Sequence, residues 1–410
     1  MTLPVLWSQR IAASQMSLLD KFSVAEQLKS GLLKAGKDPT AVVFDAINSA
    51  TEAIVEGRTT ILAGTNNYLG LTFDPACIAA GVAALQSHGT GTTGSRMANG
   101  SYATHSALES ELADFFEVPH AMVFSTGYAA NLGVLTALLG KGDAVLLDSD
   151  AHASLYDGCR MSGADIFRFK HNDMQSLERR LARLGERTGQ CLIIVEGMYS
   201  VLGDCAPMAE IVALKERYGA SLLVDEAHSL GVYGEHGRGV AEEQGVLHRI
   251  DFIVGTFSKS LGAMGGFCAS GHDVLSLFRY VSRPFMFTAS PSPAIIATTR
   301  EALHQLRTRP ELRETLWSNA RQLYGGLKNL GFELGPEISP VVAVLCKDRE
   351  SALQNWNQLL EAGVYVNMML SPATPGGASF LRCSISAAHT PEQINAVIEK
   401  FADLPASSRA

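Results

Sequence analysis

No apolar run in this sequence reaches the about 18 residues that a helix needs to cross a membrane. The amino terminus also lacks the charged-then-apolar order of a secretory signal. The seven cysteines are odd in number and include no Cys-x-x-Cys pair, which argues against a disulfide framework and against a zinc site. We therefore expect buried free thiols in a reducing compartment, no metal centre, and a cytoplasmic location.

Charge is also scarce for a chain of this length. Charged residues make up 18% of the 410, and the net charge is −8 at pH 7. The basic residues are scattered, so a nucleic-acid groove has no electrostatic support. Hydrophobic residues reach 47%, a globular balance, and 410 residues are too many for one ordinary core. We expect two or more lobes and no nucleic-acid partner.

From residue 65 onward, short apolar runs alternate with stretches of helical period. The runs predict strands at His120–Thr126, Ala144–Asp148, Asp165–Phe169, Cys191–Glu196, Ser221–Asp225, Phe252–Thr256 and Gly266–Ala269. The stretches between them predict helices at Ser106–Glu117, Ala129–Leu139, Met174–Leu184 and Met208–Tyr218. This alternation predicts a large α/β domain over residues 65–297, with a mostly parallel seven-stranded sheet covered by helices. Its active site should lie where the carboxyl ends of the strands meet helix amino termini.

The flanking segments follow a different order. Residues 1–64 form a predicted arm, in which Leu18–Ala35 has helical periodicity but carries no chemistry. The pattern after residue 297 predicts a small C-terminal α+β domain over residues 298–410. The expected helices of this part are Ala294–Leu306, Leu312–Leu330, Ser351–Ala362 and Pro391–Leu404. The expected strands are Pro340–Leu345, Tyr365–Met369 and Phe380–Ile385.

An acidic motif and a lysine motif follow two successive predicted strands. The first, DEAHS, begins at Asp225, and the second, TFSKS, contains Lys259. A carboxylate at the end of a buried strand can keep a pyridine nitrogen protonated, and a lysine in a desolvated pocket can act as a nucleophile. His228 would face the same pocket and steady a phenolic oxygen, while Thr256 and Ser258 can hydrogen-bond a phosphate. The two motifs therefore predict a pyridoxal 5′-phosphate site, with Lys259 as the Schiff-base lysine and Asp225 as the partner of the pyridine nitrogen.

A DEAH string also occurs in helicases as a metal-binding box. That interpretation requires a phosphate-binding loop of the Gly-x-x-x-x-Gly-Lys-Ser/Thr type upstream, and this chain has none. The lysine motif, in contrast, has no place in a helicase box. The combination favours the pyridoxal phosphate interpretation.

Further segments fit the same pocket. Phe124–Tyr128 leaves a predicted strand and opens a helix, so its backbone N–H groups would point at an anion. His152 follows the Ala144–Asp148 strand and offers a ring that can stack on pyridine, whereas the glycine-rich loop Gly89–Arg96 is a weak signal by itself. Arg382 lies between apolar neighbours on a predicted strand, and its planar guanidinium suits a substrate carboxylate.

Together these motifs resemble the α-oxoamine synthase family over about residues 50–405. The segments that carry the resemblance are Gly94–Met97, Ser125–Tyr128, Asp150–Ser154, Glu196–Ser200, Asp225–Ser229, Thr256–Ser260, Arg283–Ser290 and Pro372–Pro375. The family is similar to the fold-type I aminotransferases and works as a homodimer with its active sites at the subunit interface. Within the family, the motifs are most similar to members that condense L-serine with palmitoyl-CoA.

The resemblance implies a decarboxylative condensation. The α-proton of an amino acid is removed, the carbanion attacks a long-chain acyl-CoA thioester, and CoA and CO2 leave. With serine the product is a 3-keto sphingoid base, made in the first step of sphingolipid biosynthesis. The resemblance gives Lys259, Asp225 and His228 the cofactor roles named above, stacks His152 on the ring, and assigns Arg382 to the amino-acid carboxylate. It implies contacts to the phosphate region from Gly127, Tyr128, Thr256 and Ser258. It implies one further contact, from Thr288 of the partner subunit.

One position departs from the family pattern. The serine-condensing members carry an arginine two residues before the Pro-Ala-Thr-Pro loop, and this chain has Leu370 there. The change removes a second carboxylate contact, so a relative that uses alanine or glycine with another acyl-CoA stays open, as does the acyl-chain length. An aminotransferase on the same fold is a second alternative. A non-catalytic partner subunit is a third, against which Lys259 argues directly.

Overall fold

A computed structural model describes residues 17–371 and 374–405, with all side chains except those of residues 21, 24, 28, 35 and 375. The described residues form two compact units. The first combines residues 17–65, residues 201–204 and the described residues from 315 onward, and the second combines residues 66–200 and 205–314. The division of the chain at residues 64 and 297 stays a prediction. Within the described ranges, no helix has both the length and the apolar character that crossing a bilayer requires.

The strands, numbered in chain order, are mostly short. They are β1 Ala46–Ile47, β2 Glu52–Val55, β3 Arg58–Leu62, β4 His120–Phe124, β5 Ala144–Asp148, β6 Asp165–Phe169, β7 Cys191–Glu196, β8 Ser221–Asp225, β9 Phe252–Thr256, β10 Gly266–Ser270, β11 Val341–Cys346, β12 Val364–Tyr365, β13 Asn367–Met369 and β14 Ser379–Ser384.

The helices, numbered in the same way, range from one turn to five. They are α1 Ser23–Ala35, α2 Pro75–His88, α3 Ala103–Phe116, α4 Gly127–Leu138, α5 Ala153–Ser162, α6 Met174–Leu184, α7 Met208–Tyr218, α8 Val240–Glu243, α9 Val274–Leu277, α10 Arg283–Met286, α11 Pro293–Thr308, α12 Glu311–Asn329, α13 Arg349–Glu361 and α14 Pro391–Ala402.

The second unit is built on a seven-stranded sheet with the order β4-β10-β9-β8-β7-β5-β6. Strand β10 runs antiparallel to both of its neighbours, and the other pairs are parallel. The predicted mostly parallel seven-stranded sheet is therefore confirmed. Strands β5 to β9 match their predicted bounds residue for residue. Four of them, β5, β7, β8 and β9, are apolar runs buried on both faces, whereas β6 is a partly exposed edge strand.

The core of this unit lies between the sheet and the helices that follow its strands. Val145 and Leu147 of β5, together with Leu223 of β8, pack in one cluster with Val134 of α4 and Leu155 of α5. Strand β4 ends at Phe124, two residues before its predicted end, because Thr126 already caps helix α4 by accepting the N–H of Ala129 at 2.9 Å. The sheet thus delivers the carboxyl ends of β5, β7, β8 and β9 to one edge, next to the amino termini of α4 and α5.

The first unit has a four-stranded sheet of order β1-β2-β3-β12 and a three-stranded sheet of order β11-β14-β13. The prediction of one strand over Tyr365–Met369 is wrong, since β12 pairs with β3 and β13 pairs with β14. Val366 separates the two strands, and its carbonyl accepts the indole N–H of Trp356 at 2.9 Å instead of a ladder bond. The side chain of Trp356 is buried and holds the chain where it passes from one sheet to the other.

A hairpin inside the predicted arm was not predicted. Strands β2 and β3 pair antiparallel, and Val55 stands opposite Arg58. Glu56 and Gly57 between them have φ angles of 50° and 74°, the left-handed values that a two-residue hairpin turn requires. The alternating burial of Glu52–Val55 fits this arrangement. Helix α1 begins at Ser23, later than the predicted Leu18, after a short 3-10 turn.

All seven cysteines are free, six of them buried and Cys205 half-buried. The expectation of buried free thiols is therefore confirmed for those six. Burial raises the pKa of the Cys159 thiol to about 12, so this thiol stays protonated and unreactive near neutral pH.

Candidate active site

A cleft in the second unit gathers most of the predicted site residues at the carboxyl edge of the seven-stranded sheet. Asp225 comes from the end of β8, Lys259 from the turn after β9, and His152 from the turn after β5. His228, Thr256, Ser258, Gly127 and Tyr128 line the same cleft. The structure therefore brings together residues that are more than 100 positions apart in the chain, as expected for the carboxyl ends of parallel strands.

Asp225 is buried at the floor of the cleft, with 5% of its surface exposed. Asn131 Nδ2 donates to Asp225 Oδ2 at 2.8 Å, and the backbone N–H of Ala227 donates to Oδ1 at 2.9 Å. Each carboxylate oxygen has a second lone pair that can accept another hydrogen. The two donors fix the plane of the carboxylate, so a protonated ring nitrogen could be held in one orientation.

Lys259 is half-buried and lies one turn beyond the end of β9. Its charge acts on two neighbours: it lowers the pKa of His152 and lowers that of Glu196, in each case as a smaller effect than burial. Lys259 is therefore electrostatically close to both of these side chains in the cleft. This placement agrees with a nucleophilic amine, although its covalent role stays a prediction.

His152 is the N-cap residue of helix α5, and its ring opens onto the cleft. The side chain has a surface-exposed face, yet the dense protein around it lowers its pKa by desolvation. Ser154 holds the ring from below: its backbone N–H lies 3.2 Å from His152 Nδ1, and its Oγ lies 2.7 Å from the same nitrogen. One face of the imidazole is consequently free to cover a planar ligand.

The turn that carries His152 is anchored from both sides. Asp148 Oδ1 accepts the N–H of Asp150 at 2.9 Å and also lies 2.9 Å from His171 Nδ1. On the other side, Glu196 Oε1 accepts the backbone N–H of His152 at 2.6 Å. The backbone of the turn is thus fixed before the ring of His152 makes any contact with a ligand.

Glu196 also lines the cleft, although no individual role was predicted for it. It ends β7 directly opposite Asp225 in the strand pairing and has 3% of its surface exposed. Burial, and after it the charge of Asp225, raises the pKa of Glu196 well above its ordinary value. Both effects favour the neutral form of the Glu196 carboxyl group. Its place at the end of a buried strand was the signal that could have identified it.

His228 has a partner from a distant part of the chain. Its Nδ1 shares a hydrogen bond of 2.7 Å with the hydroxyl group of Tyr68, which is fully buried. The rings meet edge to face, with their centroids 6.1 Å apart. Tyr68 was not predicted, because 160 positions separate it from His228 and no local pattern marks it.

The far end of the cleft has the form of an anion cradle. Helix α4 begins there with Gly127, and the first N–H groups of a helix point outward along its axis. A Cβ on Gly127 would lie 2.8 Å from Thr256 Cβ, and one on Gly266 would lie 2.6 Å from Gly127 Cα. The two glycines therefore let the start of α4 approach β9 and β10 closely, and neither position has room for a side chain. Tyr128 stands at the rim, where its hydroxyl donates to Asp157 Oδ2 at 2.6 Å.

Two hydroxyl groups face this cradle. Thr256 Oγ1 donates its proton to the carbonyl oxygen of Gly265 at 2.9 Å, and it lies 2.9 Å from Ser258 Oγ. Because a hydroxyl group has one proton, Thr256 has none left for a further acceptor. Ser258 is then the donor in its bond to Thr256 Oγ1. Its side chain is exposed to the cleft, and it can donate to an anion by turning its hydroxyl away from Thr256. The direct phosphate contact of Thr256 stays a prediction.

Two predicted site residues, Thr288 and Arg382, are not among the described residues that line the cleft. Thr288 is half-buried beyond helix α10, next to Ala289, which bridges to Ser95. Its assigned contact is to the partner subunit, so it stays a prediction. Arg382 lies on β14 of the first unit, 4% exposed, and its Nη1 donates to Ser384 Oγ at 2.8 Å. Its role in carboxylate binding likewise stays a prediction.

The loop Pro372–Pro375 can be placed only in part, because Pro372 and Ala373 lie outside the described residues. Leu370, which precedes the loop, is half-buried and packs against the hydrophobic core of the first unit. The leucine at this position is therefore accommodated as an apolar packing residue.

Comparisons with known proteins agree with this geometry. Residues 58–401 match the family model described as aminotransferase class I and II. The chain is 55% identical over 392 residues to serine palmitoyltransferase of Caulobacter vibrioides, which covers 96% of this chain and 97% of that protein. Serine palmitoyltransferase of Sphingomonas paucimobilis is 51% identical over 394 residues, which cover 95% and 93%. A solved structure described as SPT with a PLP internal aldimine has a TM-score of 0.92 and 50% identity, and the match covers 94% of this chain and 98% of that one.

The similarity extends over almost the whole length of these relatives and is not confined to the motifs. It confirms the resemblance to the α-oxoamine synthases that the motifs indicated, and it confirms the fold-type I architecture. The chain therefore belongs to the aminotransferase class I and II family.

Proposed function

We propose that this chain is a pyridoxal phosphate-dependent acyltransferase that condenses L-serine with palmitoyl-CoA, or an acyl-CoA of similar length. The products are a 3-keto sphingoid base, CoA and CO2, and the reaction opens sphingolipid biosynthesis. The observation that carries the proposal is the convergence of Asp225, Lys259 and His152 in one cleft. The two substrates are those that the names of its serine palmitoyltransferase relatives indicate.

The cleft fits the cofactor at both of its ends. Asp225 would hold the ring nitrogen, and His228 would contact the phenolic oxygen. Ser258 and the amino terminus of α4 at Gly127 would receive the phosphate. When bound, pyridoxal phosphate supplies an electron sink for the electron pair that remains at the Cα atom of the amino acid.

Lys259 is the residue that we assign to the proton on the Cα atom of serine. An amine can accept this proton only if it is not held as an ammonium ion by a neighbouring carboxylate. Glu196 stands in the cleft near Lys259, and the raised pKa of its buried carboxyl group favours the neutral form. A neutral carboxyl group attracts an ammonium ion less strongly than a carboxylate does, which favours proton transfer to the Lys259 amine.

His152 would cover the face of the cofactor and exclude water from the reacting carbon. Its backbone is held by Glu196 and its ring by Ser154, so the imidazole is fixed in advance of binding. Such preorganisation lowers the entropy that must be lost when the reactants are aligned.

Arg382 is the proposed partner of the serine carboxylate. Its guanidinium group is almost fully buried on β14, and Ser384 occupies one nitrogen, Nη1. The guanidinium group is planar, which suits bidentate binding of a carboxylate. Leu370 removes a second positive charge and should weaken serine binding without changing the chemistry.

A homodimer with active sites at the interface, to which Thr288 of the partner subunit contributes, belongs to the same proposal. So does a cytoplasmic location, which the free cysteines support, since a reducing compartment keeps such thiols unpaired. A condensing enzyme for alanine or glycine is the second candidate, and Leu370 is the observation that favours it.

The test is a CoA-release assay with the purified holoenzyme, in which serine, alanine and glycine are each paired with acyl-CoAs from short to long. Serine with palmitoyl-CoA should give the highest kcat/KM. If alanine or glycine with a short acyl-CoA exceeds it by about tenfold, or about 1.4 kcal/mol of transition-state preference, the serine assignment is wrong. If the protein transfers the amino group of an amino acid to a 2-oxo acid, and no CoA is released with any pair, the chain is an aminotransferase.

A further inference from the structure

A chain of hydrogen bonds connects Asp225 to the ring of His152 through two buried residues, Asn131 and Ser154. Asn131 Nδ2 donates to Asp225 Oδ2 at 2.8 Å and to Ser154 Oγ at 2.9 Å. Ser154 Oγ lies 2.7 Å from His152 Nδ1. Asn131 and Ser154 are 3% and 1% exposed, so both bonds are shielded from water. Buried polar groups in such a chain are costly to leave unpaired, which favours one arrangement of the protons.

The charge of Asp225 fixes the direction of the first two bonds. A carboxylate can only accept hydrogen bonds, so Asn131 must turn its NH2 group and not its carbonyl oxygen toward Asp225. The second hydrogen of the same NH2 group then points at Ser154 Oγ. Within the described residues, Asn131 Oδ1 is buried without a hydrogen-bond partner, which shows that the amide is oriented by its donor side.

The last bond follows from the first two. Of the two neighbours that the described residues provide for the Ser154 hydroxyl, Asn131 Nδ2 is a donor and only His152 Nδ1 can accept. The backbone N–H of Ser154 points at the same nitrogen at 3.2 Å. His152 Nδ1 thus faces two donors and has no acceptor there for a proton of its own.

We propose that Asn131 and Ser154 are positioning residues that hold His152 as the neutral Nε2–H tautomer, so that its ring presents an N–H donor to the cleft. The ligand of that donor is an oxygen atom of the amino-acid substrate, and this part rests on the proposed function. A hydroxylated or carboxylated substrate gains from such a donor because Ser154 holds Nδ1 and keeps the ring from turning away.

The electrostatic surroundings are consistent with a neutral ring. Desolvation lowers the pKa of His152 and outweighs the opposing charge of Asp225, while Lys259 lowers it further and Asp157 raises it. Both ring nitrogens would be donors in the charged form, and Nδ1 would then meet the N–H of Ser154 head on. The hydrogen bonds and the burial therefore act in the same direction.

The tautomer can be measured directly by 15N NMR on the holoenzyme labelled at its 11 histidines, with His152→Gln to assign the signals. At neutral pH, Nδ1 of His152 should resonate as an unprotonated nitrogen and Nε2 as a protonated one. A proton on Nδ1, alone or together with one on Nε2, overturns the proposal. Because no turnover is involved, this outcome is independent of the CoA-release assay, whose failure would refute only the proposed function.

Ser154→Ala is the matching perturbation, and Ser162→Ala on the same helix is its control. The Ser162 variant also loses a hydrogen bond, the one that Ser162 Oγ donates to the carbonyl oxygen of Cys159 at 2.7 Å, but this bond lies outside the cleft. In Ser154→Ala, part of the His152 population should move to the Nδ1–H form. The Kd for serine, read from the cofactor absorbance, should rise about three- to tenfold, as for the loss of one hydrogen bond, with cofactor affinity unchanged. Unchanged tautomer populations and an unchanged serine Kd in Ser154→Ala would refute the role of Ser154. If the variant does not fold, the wild-type spectrum still decides the tautomer.

Discussion

Replacing Asp225 by asparagine removes one charge and almost no volume from the floor of the cleft. The carboxylate accepts one hydrogen from Asn131 Nδ2 and one from the N–H of Ala227. An asparagine side chain has a single oxygen, so it can satisfy only one of these donors, and its NH2 group would face the other. It also cannot balance a proton on the cofactor ring nitrogen, so the ring loses much of its capacity as an electron sink.

The magnitude follows from the burial of the site. Asp225 is 5% exposed, and removing one partner of a buried ion pair costs about 3–5 kcal/mol. Each 1.4 kcal/mol of barrier is a factor of about ten in rate. If the whole loss appears in the transition state for removal of the α-proton, this step should slow by about two to four orders of magnitude in Asp225→Asn.

Exchange of the α-proton of L-serine with D2O, followed by 1H NMR without acyl-CoA, isolates that step. Asp251→Asn is a suitable control, because Asp251 precedes β9 at the opposite end of the sheet and pairs with Lys215 at 2.9 Å. The control should exchange at nearly the wild-type rate. Exchange within a factor of a few of wild type in Asp225→Asn, with the cofactor bound, would refute the assignment of the ring-nitrogen partner.

Three other predictions concern single side chains. Arg382→Lys keeps the charge but loses the planar guanidinium, so the serine Kd should rise about ten- to a hundredfold, the equivalent of about 1.5–3 kcal/mol, while cofactor affinity holds; an unchanged Kd would give Arg382 a structural role. Tyr68→Phe removes the 2.7 Å bond to His228, which should shift the cofactor absorbance and lower kcat by about three- to tenfold; an unchanged spectrum and rate would mean that Tyr68 does not orient the ring. Burial raises the pKa of Glu226 from 4.5 to about 7, so folded Glu226 holds a proton that the unfolded chain releases, and the free energy of unfolding should fall by on the order of 3 kcal/mol as pH rises from about 4.5 to about 7. Glu226→Gln should lose that slope in urea titrations, and an identical slope would show that Glu226 does not titrate in this range.

The strands of the large sheet could be predicted from the sequence because each is a short apolar run that stands out from the polar helices around it. Val145 and Leu147 face one side of β5 and Leu146 the other, and all three are buried. Such continuous apolar runs predict a parallel sheet covered on both faces. The bounds of β5, β7, β8 and β9 were predicted without error for this reason; those of β6, a partly exposed edge strand, were also correct.

Helix α2 was missed because its apolar residues surround the whole helix. Cys77 and Gly81 are buried, but Ile78 and Val82 are exposed, so no single face carries the hydrophobic pattern. The helix is fixed by packing instead of periodicity: a Cβ on Gly81 would lie 2.7 Å from Thr298 Oγ1 on helix α11. A helix that owes its place to close approach leaves little periodic signal in the sequence.

Site residues could be predicted where they follow the end of a recognisable strand. Residues that only hydrogen-bond to them from elsewhere in the chain could not be predicted. Asp225 and Lys259 were found because each follows a recognisable strand. Asn131, Ser154 and Tyr68 are polar residues of common types, and their roles depend on which atoms the fold places within 3 Å of the ring-binding residues. Such second contacts depend on tertiary packing, which a single sequence does not reveal.

The central claim is that Lys259 holds the cofactor. Borohydride reduction of the purified yellow protein should abolish its visible absorbance and leave the cofactor fixed to one lysine. Peptide mapping by mass spectrometry should place that label on Lys259, and Lys259→Ala should remain folded by circular dichroism, carry no label and lose turnover. A label on another lysine, or no label on the wild-type protein, would contradict the account.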